Sequence, residues 1–156
     1  MKKKRLKCAI IGWEEGLAGQ ISQWVKYEVL FYIHPNNRPP NIDLKSIKKK
    51  PSKRFSFPHN GKYLNKKFIC SKKWPSYLIK RKIKNVLILI SNNSERMKAI
   101  QTAKKFKLNI LNAVHPSAII LKKAKIGKGV VLEPFAFVGY KAEISDGVLI
   151  QERASV

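Results

Sequence analysis

The chain has 156 residues, with 33 Lys and Arg against 9 Asp and Glu, a formal net charge of +24. A hydrophobic fraction of 44% excludes a disordered basic tail, and no apolar run approaches the ~20 residues of a membrane-spanning helix. The length holds one ordinary domain, or one small domain and the start of another. Cys8 and Cys70 form neither a disulfide framework nor metal-ligand spacing, which predicts a reduced, cytoplasmic setting.

Taken in order, Met1-Lys2-Lys3-Lys4-Arg5 reads as a basic leader before a buried strand over residues 6–11. Gly12, Gly16 and Gly19 punctuate the approach to a helix reaching about Lys26, and residues 28–33 form a second strand. The run His34-Pro35-Asn36-Asn37-Arg38-Pro39-Pro40 must be loop, because its prolines and asparagines stop any regular element. Residues 41–65 are irregular and basic, with a turn signal at His59-Asn60-Gly61. A short strand follows over 67–70, then a helix from Trp74 to about Lys82 with Pro75 in its permissive first turn. Residues 86–90 are a continuous apolar run, as expected of a parallel strand covered on both faces. Ser91-Asn92-Asn93-Ser94 leads into a helix over 94–106, with Met97, Ile100 and Ala103 or Lys104 at helical spacing, and a last strand covers 108–111. Strands alternating with helices imply right-handed parallel crossovers, hence a small Rossmann-like sheet over residues 1–113.

From Val114 the pattern changes. Val114, Ile120, Ile126, Leu132, Val138, Ile144, Ile150 and Val156 fall six apart, and a small or β-branched residue follows four positions after each of the first seven, from Ala118 to Ala154. This period is the signature of a parallel β-helix, whose aliphatic residues stack between successive turns. Three six-residue faces make a coil of about eighteen residues, so 114–156 holds two coils and the start of a third. Gly127-Lys128-Gly129 and Asp146-Gly147 supply corner residues, where positive φ is needed.

Candidate site residues lie where the parallel strands end. The loop from Gly12 through Trp13 and Gly16 to Gly19 follows the first strand, and can be read as a phosphate-binding helix N-terminus or as a tight structural turn. Asn92 and Asn93 follow another buried strand and either contact a ligand or cap the helix at Asn93 or Ser94. His34, at the end of the second strand, is in place to touch a ribose or sugar; His59 reads as solvated and His115 as structural. No catalytic triad and no metal-ligand spacing is present, so no catalytic or metal residue is assigned. The dispersed, Lys-dominated charge argues against a dedicated nucleic-acid binder, and leaves a weak attraction to phosphorylated sugars or anionic membrane headgroups open.

With these motifs in hand, the chain resembles the NeuD/PglD-type sugar O-/N-acetyltransferase family of bacteria. The resemblance rests on Ile88-Leu89-Ile90-Ser91-Asn92-Asn93, on Asn112-Ala113-Val114-His115-Pro116-Ser117-Ala118, and on Ala124-Lys125-Ile126-Gly127-Lys128-Gly129-Val130. It implies an α/β chain in which a small Rossmann-like sheet (residues 1–113) binds a nucleotide-linked amino sugar or sialic acid. The first coils of a left-handed parallel β-helix (114–156) then follow. It also implies a homotrimer in the full-length form, with acetyl-CoA as co-substrate lying along the β-helix between subunits. A β-helix histidine serves as general base in that family, shortly after a stretch similar to residues 150–156. The resemblance therefore implies that this chain stops before its catalytic base and most CoA-binding coils. The family loop is Gly-x-Gly-Gly-His-like, whereas this chain has Trp13-Glu14-Glu15, so only loop positions carry over. The alternatives are a non-catalytic sugar-nucleotide-binding or assembly module and, less favoured, a basic nucleic-acid-binding protein.

Overall fold

The computed structural model describes residues 5–13, 17–36 and 61–156. The basic leader, Gly16, most of the proline-rich loop, and the basic stretch with His59 lie outside the described residues. Strand β1 (Lys7–Ile11) leads to helix α1 (Leu17–Trp24) and β2 (Glu28–His34); β3 (Lys62–Tyr63) and β4 (Lys66–Cys70) come next. Helix α2 (Trp74–Lys80), β5 (Asn85–Ile88), α3 (Asn93–Lys105) and β6 (Asn109–Ile110) complete the first part. The strands form one sheet in the order β3-β4-β2-β1-β5-β6, parallel except for β3. Strand order reverses between β1 and β5, the switch point of a doubly wound sheet.

Both faces of the sheet are covered, which is why β1 and β5 read as unbroken apolar runs. Cys8, Ile10, Leu87 and Leu89 pack against Ala18, Ile21 and Val25 on the α1 side; Ala9, Ile11, Val86 and Ile88 pack against Leu78, Ile100 and Ala103 on the other. Burial pushes the Cys8 thiol up to about 12. The expected strands and helices are present, with three differences. His34 ends β2 rather than opening a loop, because it pairs in register with Cys70 of β4. A β3–β4 hairpin closes inside the stretch read as irregular. Its two turn residues, Leu64 and Asn65, have φ of 45° and 60°, the geometry of a type I′ turn; Leu64 gives no hint of it. Third, the buried stripe of α3 is Arg96, Ala99, Ile100 and Ala103, whereas Met97 is 41% exposed.

The six-residue period builds three parallel ladders: β7 (Ala113–Val114), β10 (Val131–Leu132) and β13 (Leu149–Ile150); β8 (Ile119–Ile120) and β11 (Phe137–Val138); β9 (Lys125–Ile126) and β12 (Glu143–Ile144). Partners are eighteen residues apart, Val131 with Ala113 and Leu149, Phe137 with Ile119, Glu143 with Lys125. These are the opening coils of a left-handed parallel β-helix. Leu132, Val138, Ile144 and Ile150 fill its interior with Val130 and Ala136, as the repeat predicts. Val114 and Ile120 are 37% and 41% exposed, because the first coil has no turn beneath it.

After the first corner at Pro116 and Ser117, the next six each carry a left-handed residue at one phase: Lys123, Gly129, Phe135, Lys141, Gly147 and Arg153, with φ between 59° and 73°. Of the expected glycine corners, Gly129 and Gly147 have positive φ and Gly127 does not. Four non-glycine side chains therefore accept a conformation that costs roughly 1–2 kcal/mol each. Gly147 differs from its counterparts because an added Cβ would also overlap Ile100 Cδ1. Gly147→Ala is expected to destabilise the chain by about 2–4 kcal/mol, the left-handed penalty plus overpacking. Lys141→Gly, at the same phase but exposed, should be neutral or stabilising by up to ~1 kcal/mol. Urea unfolding of both variants checks the pair; equal losses would contradict this account of the corners.

Candidate functional site

Where β1 and β5 diverge, α1 and α3 both begin at the carboxyl end of the sheet, and the first β-helix face rises beside them. The cleft between the three has a volume of about 380 Å³. Leu17 and Gln20 of α1, Ser91, Asn93 and Arg96 around the start of α3, and Glu133, Leu149 and Gln151 of the coils line it. Open α/β sheets bind ligands in this crevice, because helix N-termini direct free N–H groups into it.

Arg96 is the structural pivot of the crevice. It is only 7% exposed, and its guanidinium donates from Nε to the Gly147 carbonyl (2.8 Å), from Nη1 to the carbonyls of Ile90 (2.7 Å) and Ser91 (2.8 Å), and from Nη2 to Asn93 Oδ1 (2.7 Å). One side chain thus ties the end of the β5 run, the first turn of α3 and a β-helix corner together. Further along α3, Lys104 Nζ lies 2.6 Å from Asp146 Oδ2, while Asp146 Oδ1 accepts from the Lys128 N–H at 2.7 Å. The Lys104 hydrogen bond and then the Lys128 N–H hold the Asp146 carboxyl below its usual range. On the α1 side, Asn112 accepts from the Val130 N–H and donates to the Gly127 carbonyl, and its own carbonyl accepts from the Tyr27 hydroxyl.

Of the residues expected at the site, Asn93 lines the crevice. Asn92 is the helix cap, its Oδ1 accepting from the Glu95 N–H at 3.0 Å, so the cap lies one residue earlier than expected. Gly12 closes β1, donating to the Ile33 carbonyl (2.8 Å), and any Cβ there would overlap the Leu89 carbonyl. Its glycine is required by this close approach. The Trp13 indole meets Tyr63 and Phe68 edge-on at 6.2 and 6.5 Å, packed against the α1-side core. His34 is buried at the end of β2, its carbonyl accepting from the Ser71 N–H. Neither Trp13 nor His34 is among the crevice-lining residues, and Gly16 lies outside the described residues. His115 is committed: its Nδ1 lies 2.7 Å from Ser117 Oγ and accepts from the Ser117 N–H, and its ring meets Trp24 edge-on at 5.0 Å.

Glu133 and Gln151 escaped the sequence reading although a signal existed. They lie eighteen residues apart, one position after the inward Leu132 and Ile150, so the coil stacks them on the face toward the sheet. Arg96 escaped because a charged residue on the apolar stripe of a helix looks like a break in the pattern.

No protein-family model matches the sequence, and no curated protein matches it. Solved structures do. A histidine-to-asparagine variant of perosamine N-acetyltransferase from Caulobacter crescentus, in complex with CoA and GDP-perosamine, superposes with a TM-score of 0.73 at 16% identity. The match covers 96% of this chain and 62% of that one. The acetyltransferase domain of PglB from Neisseria gonorrhoeae, in complex with acetyl coenzyme A, gives 0.72 at 19% identity over 98% and 65% of the two chains. This is the fold of sugar acetyltransferases. The chain spans less than two thirds of the length of the structures it matches.

Arg96→Leu strands several buried carbonyls, and should lower stability by about 3 kcal/mol. Arg96→Lys should recover less than half of that, since an ammonium cannot reproduce the planar fork. Denaturant unfolding measures both; a wild-type midpoint for Arg96→Leu would show the clamp to be inert.

Proposed function

We propose that this chain supplies the sugar-nucleotide-binding sheet (residues 1–113) and first β-helix coils (114–156) of an acetyl-CoA-dependent acetyltransferase. Its acceptor is a nucleotide-linked amino sugar or sialic acid used in bacterial surface-glycan synthesis. The observation that carries the reading is the crevice at the strand-order switch, walled on one side by the β-helix, in a fold shared with enzymes crystallised with CoA and GDP-perosamine. Gln20, Ser91, Asn93 and Gln151 offer hydrogen bonds suited to a sugar and phosphates, and Arg96 and Glu133 place one charge of each sign on the lining. Gly12, Trp13, His34 and Asn92 keep a supporting place in this reading, at the strand ends near the crevice. The general base is none of the histidines present.

Calorimetry with CMP-, GDP- and UDP-linked amino sugars tests the reading. At least one should bind, and Ser91→Phe, which fills the crevice, should weaken that binding at least ~10-fold without lowering stability. The 156 residues alone should give no acetyl transfer, and turnover would overturn the assignment of the base. Failure of every nucleotide sugar to bind would overturn the reading itself. A second reading, a non-catalytic sugar-nucleotide-binding module, draws support from the commitment of His115 to Ser117. It predicts that CoA does not bind, so calorimetric binding of CoA would reject it.

The proposed assembly is a homotrimer. Ile119, Leu121, Phe135 and Tyr140 are 54%, 39%, 61% and 55% exposed on and beside the β8–β11 face, whereas the β9–β12 face carries the Lys125–Glu143 ion pair. Sedimentation should therefore find a trimer that Ile119→Lys shifts to monomer; a monomeric native chain would reject this assembly.

A further inference from the structure

We propose that the amino-terminal end of the sheet is a docking surface for a bilayer rich in anionic phospholipid. A groove of about 650 Å³ opens there, with Leu30, Phe31 and Ile83 along its floor. Its rim carries Lys7, Arg81, Lys82 and Lys84, all exposed, and no acidic residue lines it. Glu28, in register with Lys7 on the neighbouring strand, lies outside the lining. Beside this rim in the chain, Leu6 and Ile79 are 47% and 48% exposed.

Lysines occur all over this surface, so cations alone mark nothing. At this end four cations converge on one groove with an apolar floor and no acidic residue in its lining. Cations beside a bilayer of negative surface potential gain attraction within a Debye length, and exposed aliphatic groups gain by entering the headgroup region. The same chemistry does not suit a single-stranded nucleic acid, which needs open aromatic faces for base stacking. Phe31 is the aromatic residue of the lining, packed edge-on to the Tyr77 ring at 5.9 Å, and the Arg81 guanidinium lies 3.6 Å from the Tyr77 ring centroid.

The placement also leaves the crevice accessible. Lys7 and Asn85 are the first residues of β1 and β5, whereas the crevice lies beyond their last residues. A strand of this length separates the two ends by roughly 15 Å. Among the described residues no helix is long and apolar enough to cross a membrane, so the attachment would be peripheral. The inference stands independently of the nucleotide-sugar reading.

Co-sedimentation with phosphatidylcholine vesicles, with and without about 30 mol% phosphatidylglycerol, at about 0.15 M salt tests it. The chain should partition onto the anionic vesicles and not onto the neutral ones. Each rim cation removed should lower partitioning about fivefold. The variant Lys7→Gln/Arg81→Gln/Lys82→Asn/Lys84→Gln should therefore lose at least ~100-fold. Lys98→Gln/Lys105→Gln/Lys122→Gln/Lys128→Gln removes the same charge elsewhere and should lose less than ~10-fold. Leu6→Asn/Ile79→Asn should abolish the binding that survives high salt. Thermal unfolding confirms that each variant is folded. Equal losses for the two charge variants, no preference for anionic vesicles, or tighter binding to single-stranded RNA than to vesicles would each overturn the proposal.

Discussion

A guanidinium removed from water must be fully hydrogen-bonded, because burying the charge otherwise costs several kcal/mol. Arg96 meets this demand with acceptors from three separate segments, and they are thereby locked in one arrangement. Ile90 and Ser91 cannot drift from α3, and α3 cannot drift from the β-helix corner at Gly147. The same helix stripe continues the contact. Ile100 packs its Cδ1 against the left-handed Gly147 and within 3.6 Å of the Cβ position of Gly129, and Lys104 reaches Asp146. Residues 96, 100 and 104 are spaced by four, so one edge of α3 follows the coil corners. The crevice exists because this edge is fixed.

The electrostatics of the join have a definite pH sense. The Asp146 carboxyl is held below its ordinary range in the folded chain, so its contribution is present above the unfolded value and is lost as pH falls. The carboxyl remains partly exposed and its ion pair is solvent-screened, so it tunes the join that the buried Arg96 enforces. Cys8 has the opposite sense. Its thiol is raised from 9.0 to about 12, so burial favours the fold below the unfolded value and that contribution fades as pH rises between the two.

Much of this architecture could be read in the chain because its signals are repetitive. The β1 and β5 runs announce strands covered on both faces, and the six-residue series announces the coils. What stayed hidden is where one residue does an atypical job. Arg96 occupies a core position of α3, so the apolar pattern pointed to Met97, one residue round the helix. Lys123, Phe135, Lys141 and Arg153 adopt the left-handed corner that only Gly129 and Gly147 advertise. At the site, Asn93 was legible from its place after a buried strand. Gly12 and Asn92 were legible as positions, although the structure gives one to strand packing and the other to capping. Glu133 and Gln151 required the coil register before their common face could be seen.

That register explains how a β-helix can help line a crevice built on another sheet. Positions 115, 133 and 151 share one phase, so parallel pairing stacks them at steps of roughly 4.8 Å up the face toward the sheet. The lowest rung, His115, is consumed by Ser117 and Trp24, where α1 packs against the coil. The next two, Glu133 and Gln151, have risen past that contact and enter the crevice. Along this ladder the environment changes from packing to crevice-lining within a single coil. The chemical role of a residue here is set by its height on the coil more than by its identity. A histidine at the first rung is therefore structural, and a functional group that must meet the crevice has to be carried at a higher one.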